Sequence, residues 1–359
     1  MVTLRDKNIL LISPEPWNHI KVSKHHYAIC LGKRGNKVFF LNPPGKTPAV
    51  LPTPYSNVQS IHYEGFPKGL RFYPRFLQRH FIAKKFREVE AMCGGRIDIV
   101  WSFDNSVFFD FDALPSRVLT ICHIVDANQD FEFEKTAASA RLCLGVTRGI
   151  VERLKKSNPH SFFLHHGCAS RESIEDVEIQ GNDGARVGYA GNLDLRYIDW
   201  NLLDRITSEH MHVAFYFAGP HSRDHEFVNR LRQKPNVYFL GSLRSEQLPS
   251  FYQQMDILVL CYLSNEYPDQ LANTHKMMEY LASGRMIVAT RTEEYQSLHD
   301  EGLLMMGQNP EDFLSHFRNA LNDLSHWNST ERSTMRIQWA AQFSYENQVA
   351  RVEELLNTI

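Results

Sequence analysis

Residues 275–290 read HKMMEYLASGRMIVAT, and the two halves of this stretch obey different periods. Met277, Met278, Leu281 and Ala282 recur at the spacing of one apolar helical face. Ser283-Gly284 ends that helix, because glycine enters the left-handed cap conformation without a Cβ penalty. MIVAT follows as a short β-branched run suited to a strand buried on both faces. A helix feeding such a strand is the building unit of a parallel sheet. The polar residues His275, Lys276 and Glu279 gather at the helix start. There the backbone N–H groups lack partners and the dipole is positive, which attracts anions.

The same alternation extends in both directions. In the first half the strand candidates are NILLIS (8–13), KVFFLN (37–42), IDIVWSF (97–103), VLTICHIVD (118–126), RLCLGVT (141–147) and SFFLHHG (161–167). In the second half they are ARVGYAGNLD (185–194), VAFYFAGP (213–220), VYFLGSL (237–243), DILVLCY (256–262) and MIVAT. Helical segments separate them, which implies parallel sheets with crossover helices. The polar stretch 169–184 reads as a linker. The expected fold is α/β, with two Rossmann-like doubly wound domains facing across a cleft at the carboxyl ends of their strands. The expected boundaries are 1–168, the linker 169–184, 185–334, and a C-terminal helix over 335–359 that packs back on the first domain.

A chain of 359 residues is too long for one ordinary core. Its net charge of −2 gives no general pull toward nucleic acid. The six cysteines are scattered without a Cys-x-x-Cys pair and sit in apolar segments, as reduced core thiols of a cytosolic protein do. The N-terminus enters a strand directly, unlike a signal peptide, and no run of 18 apolar residues is present to span a bilayer. The expected location is cytoplasmic, free or against the inner face of a membrane.

Strand ends in the second half are small or polar: GYAGNLDLR, YFAGP and YFLGSL. Glycines there let a backbone approach a ligand, and three at successive carboxyl ends point to a nucleotide site. Arg196, just past the first of them, is placed to meet phosphate.

RVGYAGNLDLRYID, FYFAGP, NVYFLGSLRSEQLPSFYQQMDILVLCY and NTHKMMEYLASGRMIVAT together resemble the donor-binding domain of GT-B fold glycosyltransferases. The group includes sucrose and glycogen synthases and many bacterial polysaccharide enzymes. Many bacterial members read Asn-Pro-Leu-Lys…Glu-Tyr-Leu-Ala-x-Gly where this chain has Asn273, Lys276, Glu279, Tyr280, Leu281, Ala282 and Gly284. The likeness implies transfer of a sugar from a nucleoside-diphosphate donor to a hydroxyl of a glycan or lipid-linked acceptor. It also implies retention of anomeric configuration, with no metal or other cofactor. Glu279 would accept both ribose hydroxyls, and Arg196 and Lys276 would neutralise the diphosphate. Backbone around Gly191 and Asn192, and at Asn273, Thr274 and His275, would complete the cradle, while Ser242 and Leu243 would flank the base. One departure bears on the sugar contacts. Eight residues before the ribose-binding Glu the wider family has another Glu; here that position is Leu271, with Asn273 or Asp269 as substitutes. That departure motivates a second reading, a nucleotide-sugar binder or assembly partner without catalysis.

In the first half, His123 and Asp126 end a strand where family members often carry a similar His-x-x-Asp, and an inverting reaction would take its base from this pair. Trp17, Lys21 and Lys24 follow the first strand and are candidates for the acceptor side. Asp110-Phe-Asp112 and His221-x-x-x-His225 have metal-like spacings, but both read as structural. Residues 66–90 hold seven Lys/Arg against two acids, interleaved with six Phe/Tyr residues. This basic amphipathic segment suits an anionic membrane surface, the rival reading being a core-packing helix with a solvated basic face.

Overall fold

The computed structural model describes residues 2–125, 133–169, 174–179, 181 and 184–359. The chain divides into two compact units, one of Met1–Gly167 with Tyr345–Ile359, the other of Cys168–Ser344. Each is an α/β unit built on a parallel sheet.

The first unit contributes β1 (Asn8–Ile12), β2 (Lys37–Leu41), β3 (Ala49–Pro52), β4 (Val58–His62), β5 (Ile99–Ser102), β6 (Leu119–Ile124), β7 (Leu142–Gly145) and β8 (Ser161–Phe163). Their order across the sheet is β3-β4-β2-β1-β5-β6-β7-β8. All pairs are parallel except β3 with β4. Strands β1, β2, β5 and β7 are buried nearly end to end, because helices cover both faces of a doubly wound sheet. Strand β3 lacks that protection: Val50 and Leu51 are exposed. Its weak apolar pattern explains why the sequence does not announce it.

The second unit contributes β9 (Arg186–Ala190), β10 (Ala214–Ala218), β11 (Val237–Gly241), β12 (Ile257–Leu260), β13 (Met286–Thr290) and β14 (Met305–Gly307), ordered β11-β10-β9-β12-β13-β14. Every pair is parallel. Strand order reverses between β9 and β12 here, and between β1 and β5 in the first unit. A doubly wound sheet opens a crevice at such a reversal, outside the carboxyl ends of the strands.

The helix-to-strand stretch behaves as its pattern requires. Helix His275–Ser283 buries Met277, Met278, Tyr280 and Leu281, then Gly284 takes φ 76° and the chain enters β13. A Cβ on Gly284 would collide with the Ser333 hydroxyl, so the glycine also admits the helix that packs there.

At the C-terminus the structure differs from the single helix expected over 335–359. Two helices stand there, Thr330–Ala341 in the second unit and Tyr345–Thr358 in the first. The fully buried Arg336 explains the first placement. Its guanidinium donates to the carbonyls of Leu303, Gly284 and Trp327 at 2.6, 3.0 and 2.8 Å, which fastens Thr330–Ala341 to the turn before β13. Burial of Tyr345, Val349, Val352, Leu355 and Leu356 assigns the second helix to the first unit. Likewise, part of the expected linker is a strap on the second unit: Glu175 N–H donates to Glu246 O at 2.9 Å and Gln254 Nε2 to Val177 O at 2.8 Å. Among the described residues no helix is long and apolar enough to cross a membrane.

Candidate functional site

Beside the strand reversal of the second unit, three glycines end or follow neighbouring strands. Gly191 N–H donates to Ala218 O at 2.8 Å, and Gly219 N–H donates to Gly241 O at 2.7 Å. A Cβ on Gly219 would fall onto the Gly191 carbonyl oxygen, so nothing larger fits. Gly191 answers to a different neighbour: a Cβ there would collide with Lys276 Cε and lie 2.6 Å from its Nζ. The lysine at the start of helix His275–Ser283 therefore lies across the end of β9, with its ammonium 5.7 Å from the centre of the Tyr189 ring. This puts a positive charge over bare backbone at the mouth of the sheet.

Glu279 stands one turn along the same helix and is one-third exposed. Its carboxylate accepts a hydrogen bond from the Tyr252 hydroxyl at 2.7 Å and lies 3.4 Å from His275 Nδ1. Burial pushes its pKa upward, but the His275 and Tyr252 hydrogen bonds and the His275 and Lys276 charges outweigh that and hold it below the ordinary carboxylate value. Glu279 is thus an ionised acceptor with lone pairs left for a ligand's hydroxyls.

Four tyrosines frame this pair, and the apolar pattern of the sequence does not mark them as site residues. Tyr280 is buried and its hydroxyl accepts from Ala190 N–H at 3.1 Å, which ties the helix to the end of β9. Tyr189 and Tyr262 share a hydrogen bond of 3.3 Å, and Tyr252 holds Glu279. Burial raises the pKa of Tyr189, Tyr252, Tyr262 and Tyr280 well above the usual phenol value, so all four stay neutral. Their one signal in the sequence is a polar-tipped ring in GYAG, SFYQQ, VLCY and MEYL, each in or beside an element that borders the crevice.

The other candidates divide. Thr274 caps the helix by position only: no side-chain cap bond forms, and its buried Oγ1 has no partner among the described residues. The first turn is therefore left for something other than its own cap. Asn273 is buried and accepts from the Tyr295 hydroxyl, so it braces the turn before the helix. Arg196 is exposed, with its guanidinium 5.1 Å from the centre of the Tyr267 ring. Asn192 Oδ1 accepts from Asp194 N–H at 2.9 Å in a local turn, and Leu243 packs partly against the core beside Ser242. Leu271 is 2% exposed, an apolar core residue at the position where the wider family has an acid. The Asp269 side chain lies outside the described residues.

At the reversal of the first unit the polar groups are closed in. His123 follows Cys122 near the end of β6 and is 1% exposed, its ring packed against Phe103 at 4.7 Å and Tyr27 at 5.5 Å between centroids. Trp101 Nε1 donates to its Nδ1 at 3.4 Å, and Nε2 has no partner among the described residues. Burial, helped by the nearby Lys24 charge, lowers its pKa to about 3, so the imidazole stays neutral. Lys24 is itself buried and pairs with Glu15 at 2.5 Å. Asp104, also buried, has its pKa raised chiefly by burial. Of the residues expected on the acceptor side, Lys24 is the one whose charge reaches His123. Trp17 packs its ring on Phe40 at 5.0 Å, and Lys21 donates to the Tyr55 hydroxyl at 3.0 Å. Asp126 lies outside the described residues.

The metal-like spacings are filled by protein. Arg79 Nε reaches Asp110 at 3.1 Å and its Nη2 bonds Asp112, while Arg75 lies 3.6 Å from Asp110 and 3.5 Å from Asp112. His221 and His225 turn to Arg232 and to the Val228 N–H respectively.

The reversal, its glycines and the Lys276–Glu279 pair all fall inside residues 185–323, which match the family described as Glycosyl transferases group 1. This part of the second unit is similar to group 1 glycosyltransferase domains. The likeness accords with a relative, the putative teichuronic acid biosynthesis glycosyltransferase TuaH of Bacillus subtilis, 22% identical over 150 residues. That match takes in 41% of this chain and only 37% of the relative. Solved glycosyltransferase structures superpose over nearly the whole chain, which gives it the GT-B fold. Sucrose-phosphate synthase from Thermosynechococcus elongatus has a TM-score of 0.74 at 14% identity, covering 98% of each chain. Anabaena Alr3699/HepE in complex with UDP and glucose has 0.65 at 12%, covering 98% of this chain and 100% of that one.

Proposed function

We propose that the protein transfers a sugar from a nucleoside-diphosphate donor to a hydroxyl acceptor, a glycan or a lipid-linked glycan of bacterial polysaccharide synthesis. One observation carries the reading: Lys276 laid across Gly191 beside an ionised Glu279, at the strand reversal of a unit similar to group 1 glycosyltransferase domains. Glu279 takes the two ribose hydroxyls, and Lys276 with the uncapped first turn takes the diphosphate. The bond from the anomeric carbon to the diphosphate breaks while the acceptor oxygen attacks that carbon. Lys276 and the helix amides stabilise the charge arriving on the leaving phosphate, a preorganised electrostatic effect. Retention is the favoured stereochemistry, with the acceptor's proton passing to a phosphate oxygen. Support comes from His123, the alternative base, whose ring is enclosed and has Trp101 on one nitrogen. Uridine is the first base to test, given the UDP in the Anabaena complex.

Titration calorimetry with UDP, GDP and ADP, followed by transfer assays with the matching sugar donors and NMR of the product's anomeric signal, tests each part in turn. Binding of none of the three diphosphates would end the reading. A second reading, a nucleotide-sugar binder without transfer, rests on Leu271 being core. Slow donor hydrolysis by the isolated protein would argue against it.

A further inference from the structure

Residues 66–90 read in sequence as a basic amphipathic segment, and the structure changes which part of it meets solvent. Helix Arg75–Met92 buries Gln78, Ile82, Phe86 and Val89 within the first unit, so it is a core-packing helix. Much of its charge is engaged by the protein itself: Arg75 and Arg79 by Asp110 and Asp112, Lys85 by Glu88. What remains outside is aromatic. Phe72 is 92% exposed and Phe76 71%, with Tyr73 and Pro74 exposed between them. Ile20, 71% exposed, follows the carboxyl end of β1, the same sheet edge from which 66–76 leave β4.

Single exposed apolar residues need no explanation, but neighbouring rings held out on a fixed frame do. The frame is built from buried parts. Leu70 is in the core, and the buried Gln78 donates to the carbonyls of both Arg71 and Tyr73 at 2.7 Å. Lys135 bonds the other end of that carboxamide. Arg71 bonds the Asn105 carbonyl and lies over the Phe109 ring at 4.5 Å. The backbone on either side of Phe72 is therefore fastened while its ring stands in solvent. Before and beyond the step in sequence, Lys68, Lys84 and Arg87 are exposed and carry no ion pair among the described residues. Lys84 and Arg87 lie eight and eleven positions after Phe76, which places all three on one helix face.

We propose that this step, Phe72 and Phe76 together with Lys68 before it and Lys84 and Arg87 along the helix after it, docks the first unit on an anionic lipid surface. Rings of this kind enter the headgroup–acyl boundary, and these cations add attraction that a neutral bilayer lacks. Charge complementarity decides the occupant: an apolar tip that continues into a helix face carrying unpaired positive side chains suits anionic lipid better than an apolar protein groove. The inference stands on the first unit alone and survives if the nucleotide reading fails.

Co-sedimentation of the full chain with phosphatidylcholine vesicles, with and without about 30% phosphatidylglycerol, tests it. Binding should be roughly tenfold or more stronger on the anionic vesicles and should weaken with salt. The pair Phe72→Ser and Phe76→Ser should lower it by about tenfold or more with an unchanged melting temperature and unchanged diphosphate binding. Phe72→Trp should show blue-shifted emission on anionic vesicles, a readout that needs no loss of function. Equal binding to both vesicle types, no binding, or unaltered binding by the Phe72→Ser/Phe76→Ser variant would each overturn the proposal.

Discussion

The two units repeat one plan and use it in opposite ways. Each has a parallel sheet that reverses strand order, and each gathers charged and polar side chains at the carboxyl ends beside the reversal. In the second unit the carboxylate there is part-exposed and ionised. In the first, His123, Lys24 and Asp104 are enclosed, and burial works against charge on the histidine and the aspartate. Topology sets where chemistry can gather. Solvent access and local partners then decide whether a group is an open acceptor or a sealed one.

The contrast breaks most directly at Glu279. Glu279→Ala should weaken diphosphate binding on the order of a hundredfold or more in calorimetry, since hydrogen bonds to a charged group are worth about 1.5–3 kcal/mol each. Little change would remove the distinction between the units. Next is Gly191→Ala. Its Cβ collides with Lys276, so the ammonium must leave the end of β9, and diphosphate affinity should drop about tenfold, the scale of one displaced charge contact. An unaffected affinity would show that Lys276 does not act from that position.

The sealed side is tested by acid. His123 is neutral in the fold down to about 3, whereas unfolded it takes a proton below about 6.5. Between those values the unfolded chain binds more protons, so this group's contribution to stability falls as pH falls, by about 1.4 kcal/mol per pH unit at most. His123→Phe should flatten that part of the denaturation profile of the first unit, with about 1 kcal/mol lost at neutral pH because Trp101 loses its acceptor. An unchanged acid slope would mean that the imidazole is not enclosed in solution. The smallest expected effect is that of Tyr252→Phe. Removing a hydrogen bond that lowers the Glu279 pKa should move the acid loss of diphosphate binding to higher pH, with about a threefold to tenfold loss of affinity at neutral pH. A pH profile identical to that of the parent protein would show that Tyr252 does not tune the carboxylate.

Much of the candidate site is legible in the sequence. Lys276 and Glu279 interrupt the apolar stripe of Met277, Met278 and Leu281 at a helix start, and charged groups in the first turns of a buried helix stand out as candidates for ligand binding. The glycines at 191, 219 and 241 stand at the ends of apolar runs that already read as strands. What is not legible there has a physical cause. Tyr189, Tyr252, Tyr262 and Tyr280 count as apolar in any periodicity, and their hydroxyls acquire a role only when four separate segments converge. Strands β3, β4 and β14 lie outside the strand candidates of the sequence: β3 is largely exposed, Gln59 and Ser60 break the apolar run of β4, and β14 is three residues long.

The sequence alone determined the two parallel sheets, the helix-to-strand turn at Gly284 and the chemistry gathered near residue 279, because these follow from local periods and from the backbone freedom of glycine. Only the tertiary structure decided that His123 is enclosed, that Arg196 rests on Tyr267, that Arg336 holds Thr330–Ala341 in the second unit, and that Phe72 and Phe76 stand in solvent. Burial and charge pairing depend on neighbours distant along the chain. No local pattern encodes which side chains those neighbours will cover.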